Sequence, residues 1–412
     1  MSTMLITFLV FALLALLLLL TLLWYFIPSS RVATSVPGLR PADQVWGNLP
    51  NISDAGGLPH FLQILHRDHG SIASFWLGDF LAISVGSHHL FKIVDNCCPT
   101  NGLPYQTIVP LTLDKDILEQ TSPTNNFLNS IISSFSPFNH QTVPSLGSKI
   151  RVLAQELCDV LSTVGSEDQV PIDDYVDALA VKVVAETSGL LKNPDMSRLR
   201  LAFTNLTKEM EAFMEAGKEV GEDKRKILIR RAEEFLQIVG RKAGAKVFGL
   251  ITVISVLSTW IIYHLARNPS IQKRLRKDDS LIETFLVEVS RVSGFLPFTS
   301  RVLAKQDLSL LGHNIEEGTL VINSLSSVGW DRKVFPDPEV VDLQRDKSLP
   351  NILHIINPSY TTSYSYCVII NLIKTLLGTF TMELADPEVE VGKKFTIVMK
   401  PDSDIWIKLK KL

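Results

Sequence analysis

The chain has 412 residues, of which 46% are hydrophobic and 20% charged, so it can bury a large core and is not expected to be disordered. The formal net charge is only -3, and no basic run is long enough to form an electrostatic footprint, which argues against a nucleic-acid partner. Four cysteines without a C-x-x-C pair predict neither a zinc site nor a disulfide framework.

The N-terminal stretch 4–27 predicts a membrane helix. It carries no charge over 24 positions, and a helix of that length is about 36 Å long, enough to cross the hydrocarbon core with some tilt. The first positive charges, Arg31 and Arg40, follow the helix. By the positive-inside rule we expect a single anchor within residues 1–29 and a cytosolic remainder.

Residues 30–59 are rich in proline and glycine, which predicts a linker, and we place the start of the folded domain at residue 60. Within that domain, residues 71–77 and 80–85 flank Gly78 and predict a β-hairpin.

Amphipathic helices are predicted next. The apolar spacing indicates four of them, at 150–161, 175–190, 197–216 and 224–239. Glu211, Glu215 and Glu219 recur every fourth residue beside lysines, which predicts a solvated face in preference to a metal site.

The stretch 247–263 is uncharged and apolar around its whole circumference. It predicts either a fully buried central helix or a second membrane span, and we favour the buried helix. At the other end of the chain, residues 395–398 and 405–409 alternate in polarity and are predicted to form a terminal hairpin.

An ordered series of motifs runs from residue 282 to residue 345. Glu288 and Arg291 are three apart on a predicted helix, so their side chains share a face and can form a bidentate contact. The series continues with Pro297 and Arg301. It then has a strand-like Gly-Thr-Leu-Val at 318–321, an Asp-Pro element at 337–338 and finally Arg345.

This series resembles the cytochrome P-450 family of haem-thiolate monooxygenases. Segments 47–50, 61–66 and 74–78 look similar to the animal family-twenty branch, and the resemblance extends with gaps over 28–412. It implies a mainly α fold with small β-sheets, the cytochrome P-450 fold, in residues 60–412 behind an N-terminal transmembrane helix. The implied activity is monooxygenation of an apolar small molecule by haem (heme) iron, with electrons from an NADPH-dependent reductase, at the endoplasmic reticulum membrane.

The resemblance also implies roles for single residues. Glu288, Arg291 and Arg345 correspond to a structural triad, and Arg301 to a haem propionate contact. In the long helix that faces the haem, Thr252 stands where the family has an acid, and Val253 where it has a threonine.

Two alignments place different residues at the position of the axial haem ligand. Counting forward from Arg345 places Cys367 at the ligand position, whereas counting backward from the final helix places Ser359 there. The second count is favoured because helices tolerate fewer length changes than loops. Cys367 is the provisional metal ligand, and His354 is an alternative donor.

Two functions therefore compete at this point. The first is a membrane-anchored monooxygenase. The second is a relative with the same fold that has lost its thiolate ligand and acts in ligand or protein binding. A two-span membrane protein is a third, less favoured class.

Overall fold

The computed structural model of the chain describes residues 13, 16–19, 34–78, 80–98, 140, 146–165, 168–216, 222–302, 307–346 and 348–412. Most of the predicted anchor and most of the segment 97–145 lie outside this set. So do the side chains of residues 214–216, 222 and 300–302. The prediction of a solvated face at Glu215 and Glu219 lies outside the described residues.

The described part is mainly helical. The helices are α1 (Leu49–Asp54), α2 (Leu58–His69), α3 (His88–Cys97), α4 (Leu146–Leu161), α5 (Ile172–Thr187), α6 (Met196–Ala216), α7 (Glu222–Val239), α8 (Gly244–Arg267), α9 (Pro269–Lys277), α10 (Leu281–Ser293), α11 (Leu325–Gly329), α12 (Ile352–Ile356) and α13 (Tyr364–Thr379). The four amphipathic helices of the sequence analysis correspond to α4 to α7, with ends that differ by up to four residues.

Small sheets complete the fold. The strands are β1 (Ile72–Leu77), β2 (Phe80–Val85), β3 (Val170–Pro171), β4 (Thr299–Val302), β5 (Leu308–Leu310), β6 (His313–Ile315), β7 (Leu320–Asn323), β8 (Phe380–Leu384), β9 (Lys393–Phe395), β10 (Met399–Pro401) and β11 (Trp406–Lys411). One sheet has the order β1-β2-β7-β4, with β2 and β7 parallel. Another has the order β3-β11-β8, and two hairpins pair β5 with β6 and β9 with β10.

The apolar helix α8 lies at the centre of the core. By length and composition it is the helix, among the described residues, that could cross a membrane, but 78% of its most apolar window is buried inside the protein. It packs against α5, α13 and β8. A helix that is hydrophobic on all sides needs such neighbours on all sides, and protein rather than lipid supplies them here.

The linker boundary predicted at residue 60 is wrong in detail. Helix α1 and the first two residues of α2 lie within the predicted linker. Upstream of them, Val36 is buried and Leu39 N–H donates to the Ser74 carbonyl at 2.9 Å, so this segment docks on β1. The prolines misled the prediction because proline is also favoured in the first turn of a helix, as at the starts of α1 and α2.

The predicted terminal hairpin is also wrong. Residues 395–398 form mostly the turn between β9 and β10 rather than one strand. The last strand, β11, pairs antiparallel with β8 and β3 instead. Alternation marks a strand with one buried face, but it does not identify the partner strand.

Candidate functional site

A buried ion triad connects α10 to the segment that follows β7. The Glu288 carboxylate accepts two hydrogen bonds from Arg291, from Nε and Nη2, each at 2.9 Å. It accepts a third from Arg345 Nε at 2.9 Å and a fourth from the Asp342 N–H at 3.2 Å. Glu288 is 4% exposed and Arg291 2% exposed, so little solvent screens the charges. The structure thus brings together the three residues of the predicted triad.

The remaining donors of the two arginines bind backbone carbonyls. Arg291 donates to the carbonyls of Gly329 and Pro338 at 2.9 and 2.6 Å, and Arg345 donates to that of Pro336 at 2.8 Å. Both guanidinium groups also lie over the Phe335 ring, at 4.8 and 5.7 Å from its centroid. All these partners belong to the protein, so the triad holds the chain between 329 and 345 in place rather than performing chemistry.

Helix α10 ends at a glycine that sets the direction of the following chain. Gly294 has φ of 64°, a left-handed conformation that glycine adopts without a side-chain clash. The chain then turns through Pro297 into β4, where the backbone of Arg301 pairs with Val321 of β7. The Arg301 side chain lies outside the described residues, and its contact with a haem propionate stays a prediction.

The entrance to α13 is built from hydroxyl side chains. Ser363 is the N-cap: its Oγ accepts from the Tyr366 N–H at 3.3 Å and donates to the Tyr360 carbonyl at 2.6 Å. Ser359 precedes the short 3-10 turn at 360–362. Tyr364 is fully buried, and its hydroxyl donates to the Val183 carbonyl at 2.9 Å, which ties the start of α13 to α5.

Cys367 lies inside the first turn of α13, as its fourth residue. Its backbone N–H donates to the Ser363 carbonyl at 3.1 Å and is part of the helix. Its side chain is half-buried against the apolar core, and the Asn371 amide approaches the sulfur at 3.7 Å. The chain has no glycine between Gly329 and Gly378. The structure therefore places Ser359 and Ser363, not Cys367, before the helix begins.

The alternative ligand His354 and the two residues singled out on the long helix lie away from the entrance to α13. His354 is exposed on α12, where its backbone N–H bonds to the Asn351 side chain at 3.0 Å. On α8, Thr252 Oγ1 donates to the Phe248 carbonyl at 2.9 Å within its own helix, and Val253 is fully buried. Thr252 faces a cavity bounded by α5 and α6.

This cavity has a volume of about 400 Å³ and was not predicted from sequence. Its acidic groups are Asp173, Asp174, Asp177, Glu211, Asp402 and Asp404. The prediction that Glu211 belongs to a solvated face is wrong, because its side chain is only 13% exposed and pairs with Lys394 and Lys400. Sequence periodicity did not reveal these contacts, since both lysines come from the distant β9–β10 hairpin.

Comparisons with known proteins agree with this architecture. The sequence profile described as cytochrome P-450 matches residues 249–348, which include the triad. Cytochrome P-450 20A1 of Mus musculus is 23% identical over 94% of this chain and 95% of its own length, and that of Homo sapiens is 22% identical over the same shares. Cytochrome P-450 55A3 of Fusarium lichenicola is 32% identical over 24% of each chain.

The chain is similar to cytochrome P-450 proteins over nearly its whole length. The family implies haem as its cofactor, held in these proteins by a cysteine thiolate. The described residues of this chain do not fit that arrangement. Cys367 lies within the first turn of α13, and its side chain packs against the apolar core, whereas Ser359 and Ser363 stand before the helix begins.

Proposed function

We propose that this P-450 chain is a membrane-anchored protein that binds a small, partly apolar molecule and does not activate dioxygen through a cysteine thiolate. The position of Cys367 carries the proposal. Its N–H is bonded within α13 and its side chain packs on the apolar core, while serine occupies both positions at the entrance to the helix. A serine hydroxyl cannot replace a thiolate, because thiolate donation promotes O–O cleavage.

The scaffold that supports binding is well kept. The Glu288 triad is fully hydrogen-bonded, and the core is continuous from α3 to β11. Removing one partner of such a buried charged cluster destabilises the fold by about 3–5 kcal/mol. A protein that no longer needed its fold could lose the cluster without consequence. Retention of the scaffold beside altered ligand residues supports a binding function better than loss of all function.

Membrane anchoring is part of the proposal. The apolar run 4–27 supports one span, and of that run the structure describes Leu13 and residues 16–19, which are helical with exposed side chains. Arg31 and Arg40 follow the run and support a cytosolic domain. By analogy with microsomal members of the family, we place the protein in the endoplasmic reticulum membrane with a single span.

A haem-dependent monooxygenase is the second candidate, and one observation favours it. Cys367 lies within the first turn of α13 and its side chain is only half-buried, so unwinding of that turn would expose the sulfur at the helix entrance. In that state Arg301 would bind a propionate, Cys367 would ligate iron and a reductase would supply electrons. The family's chemistry would then apply to an apolar substrate.

One experiment separates the two candidates. The full chain is expressed in haem-supplemented cells, purified in lipid nanodiscs and analysed for haem content and for the absorbance of its reduced carbonyl complex. We expect no red-shifted thiolate band, and the same spectrum for wild type and Cys367→Ser.

Cys97→Ser is the matched control, because Cys97 is also partly buried but is distant in sequence from α13. A thiolate band that is present in wild type and Cys97→Ser, and absent in Cys367→Ser, would overturn the proposal in favour of the monooxygenase.

A further inference from the structure

We propose that the cavity between α5, α6, α8 and the β9–β10 hairpin binds an organic amine, with its ammonium among the carboxylates and an apolar body against the helices. This inference rests on the proposed binding function and specifies its ligand class. The cavity volume of about 400 Å³ lies within the range of small-molecule sites.

The inner wall of the cavity is apolar. Phe203 and Met210 line it from α6, and Phe248 and Val256 line it from α8. Phe203 and Phe248 also contact each other, with ring centroids 5.3 Å apart, which fixes the shape of this wall. An aromatic or alkyl group placed here would be removed from water, at a gain of about 25 cal/mol per Å² of apolar area buried.

The polar side of the cavity has more negative than positive charge. Its lining contains six carboxyl groups and two lysines, Lys208 and Lys400. Lys400 already pairs with Glu211, and Lys394 approaches the same carboxylate at 3.5 Å. One carboxylate thus takes two cations, and Arg200 approaches Asp174 at 3.7 Å. The six carboxyl groups still outnumber these nearby cations, which favours a cationic ligand.

Two of these aspartates can act on one ammonium. Asp173 and Asp177 are four residues apart on α5, so their side chains are neighbours on one face. Asp173 accepts from the Ile405 N–H at 2.7 Å, and Asp177 accepts from the Ser255 hydroxyl across the gap to α8. These hydrogen bonds fix both side chains, and an ammonium with three N–H donors can bridge their remaining lone pairs.

Burial supports this assignment. It raises the pKa of Asp177 and raises that of Asp173 to about 6, because each carboxylate loses solvation on folding. A bound cation would offset that loss.

A metal ion is a poorer match, since the described residues contain no group of three or more acidic, histidine or cysteine side chains that could hold one.

The cavity is separate from the entrance to α13. None of the described residues that line it belongs to α13 or to the segment 352–363. Thr252, Ser255 and Thr259 point to it from one face of α8, with the spacing of successive helical turns. Amine binding here therefore does not require iron.

The test uses the full chain in nanodiscs and two probes with the same apolar body, 4-phenylbutylamine and 4-phenylbutan-1-ol. Isothermal titration measures both affinities, with empty nanodiscs subtracted. We expect the amine to bind about tenfold more tightly than the alcohol, because a charge-assisted hydrogen bond is about twice as strong as a neutral one. Asp177→Asn should remove this preference by weakening amine binding.

Two further variants keep the test decisive. Asp404→Asn changes an exposed carboxyl at the rim and should reduce amine affinity even if Asp177→Asn does not fold. Glu186→Gln, at the far end of α5, is the matched control and should bind like wild type.

Equal affinity for the two probes, or amine preference kept in both aspartate variants, would overturn the inference. A thiolate band in the same preparation would overturn the proposed function instead, so the two failures are distinguishable.

Discussion

Glu288 and Arg345 are 57 positions apart in the sequence, and in the folded chain a 2.9 Å hydrogen bond joins the carboxylate of the first to Nε of the second. Arg291 reaches the same carboxylate from one turn along α10. Because two guanidinium groups share one carboxylate, loss of the carboxylate leaves both arginines without their charged partner.

Glu288→Gln should therefore destabilise the protein by about 3–5 kcal/mol, the usual cost of leaving a buried charge uncompensated. Denaturant unfolding of the purified full chain measures this, and reduced folded yield should accompany it. Glu316→Gln, at an exposed position, is the control and should change stability by less than about 0.5 kcal/mol. Equal stability of the two variants would show that the triad is not a folding device.

Gly38→Ala should detach the segment that precedes α1 from β1. A Cβ atom at residue 38 would lie 2.0 Å from the Ser74 carbonyl oxygen, which is backbone and cannot rotate away. We expect destabilisation of about 1–3 kcal/mol and faster hydrogen exchange at the Leu39 amide, which donates to that oxygen.

Gly147→Ala is the contrasting variant, since a Cβ there meets nothing within 4 Å. Residue 147 is near the start of α4, so alanine should be neutral or stabilise the helix by up to about 1 kcal/mol. If both variants behaved alike, the close approach of residues 38 and 74 would be contradicted.

Asp173→Asn should stabilise the protein at neutral pH. Burial raises the pKa of Asp173 to about 6, above the value of about 3.9 in an unfolded chain. Between these pH values the folded state therefore binds more protons than the unfolded chain. The contribution of Asp173 to the free energy of unfolding falls as pH rises from about 4 to about 6. Asparagine removes this titration while keeping an oxygen for the Ile405 N–H.

The expected gain is about 1–2 kcal/mol above pH 6 and close to zero below pH 4, measured as the unfolding free energy across that range. Asp174→Asn is the neighbouring control, since the Asp174 side chain is 77% exposed. A gain of the same size at pH 4 and pH 7 would contradict the assigned cause.

Ser363→Ala should destabilise α13 by about 1 kcal/mol, because the serine hydroxyl accepts from the Tyr366 N–H at the N-terminus of the helix. Ser359→Ala should have a smaller effect, since Ser359 makes no side-chain cap hydrogen bond. Thermal unfolding of the two variants compares them. A larger loss for Ser359→Ala would indicate that the helix starts earlier than residue 364.

Protease treatment of microsomes should digest the domain behind the proposed anchor. We expect this because residues 4–27 are uncharged and Arg31 follows them, which favours a cytosolic remainder. A C-terminal epitope tag reports digestion, and detergent-treated microsomes are the control. A protected C-terminus in intact microsomes would contradict the proposed topology.

The elements that depend on local pattern were predictable from sequence. The helix that carries Glu288 and Arg291 follows from residue periodicity, and the hairpin of β1 and β2 follows from periodicity and from Gly78. The structure has both, and the hairpin strands agree within a residue. The partners of Glu288 were predictable for a different reason, since the order of motifs between 288 and 345 resembles that of a known family.

Features that depend on tertiary placement were not predictable. Charged neighbours on its own helix predict that Glu211 is exposed to solvent, yet lysines of the β9–β10 hairpin pair with it and cover it. The cavity acids had a weak signal, the spacing of Asp173, Asp174 and Asp177 at the start of an apolar helix. That spacing cannot reveal which helices form the other walls of the cavity, because α6 and α8 come later in the chain.

The burial of α8 also constrains how the protein is made. If the chain is anchored as proposed and made at the membrane, a translocation channel meets α8 as a 24-residue apolar segment before most of its neighbours exist. Of its main partners, α5 is already made, but α13 begins 97 positions after α8 ends. At about 5–20 residues per second, that delay is roughly 5–20 s. Insertion of α8 into the bilayer during this interval would leave β8 and α13 on the wrong side, so correct folding competes with a topological error.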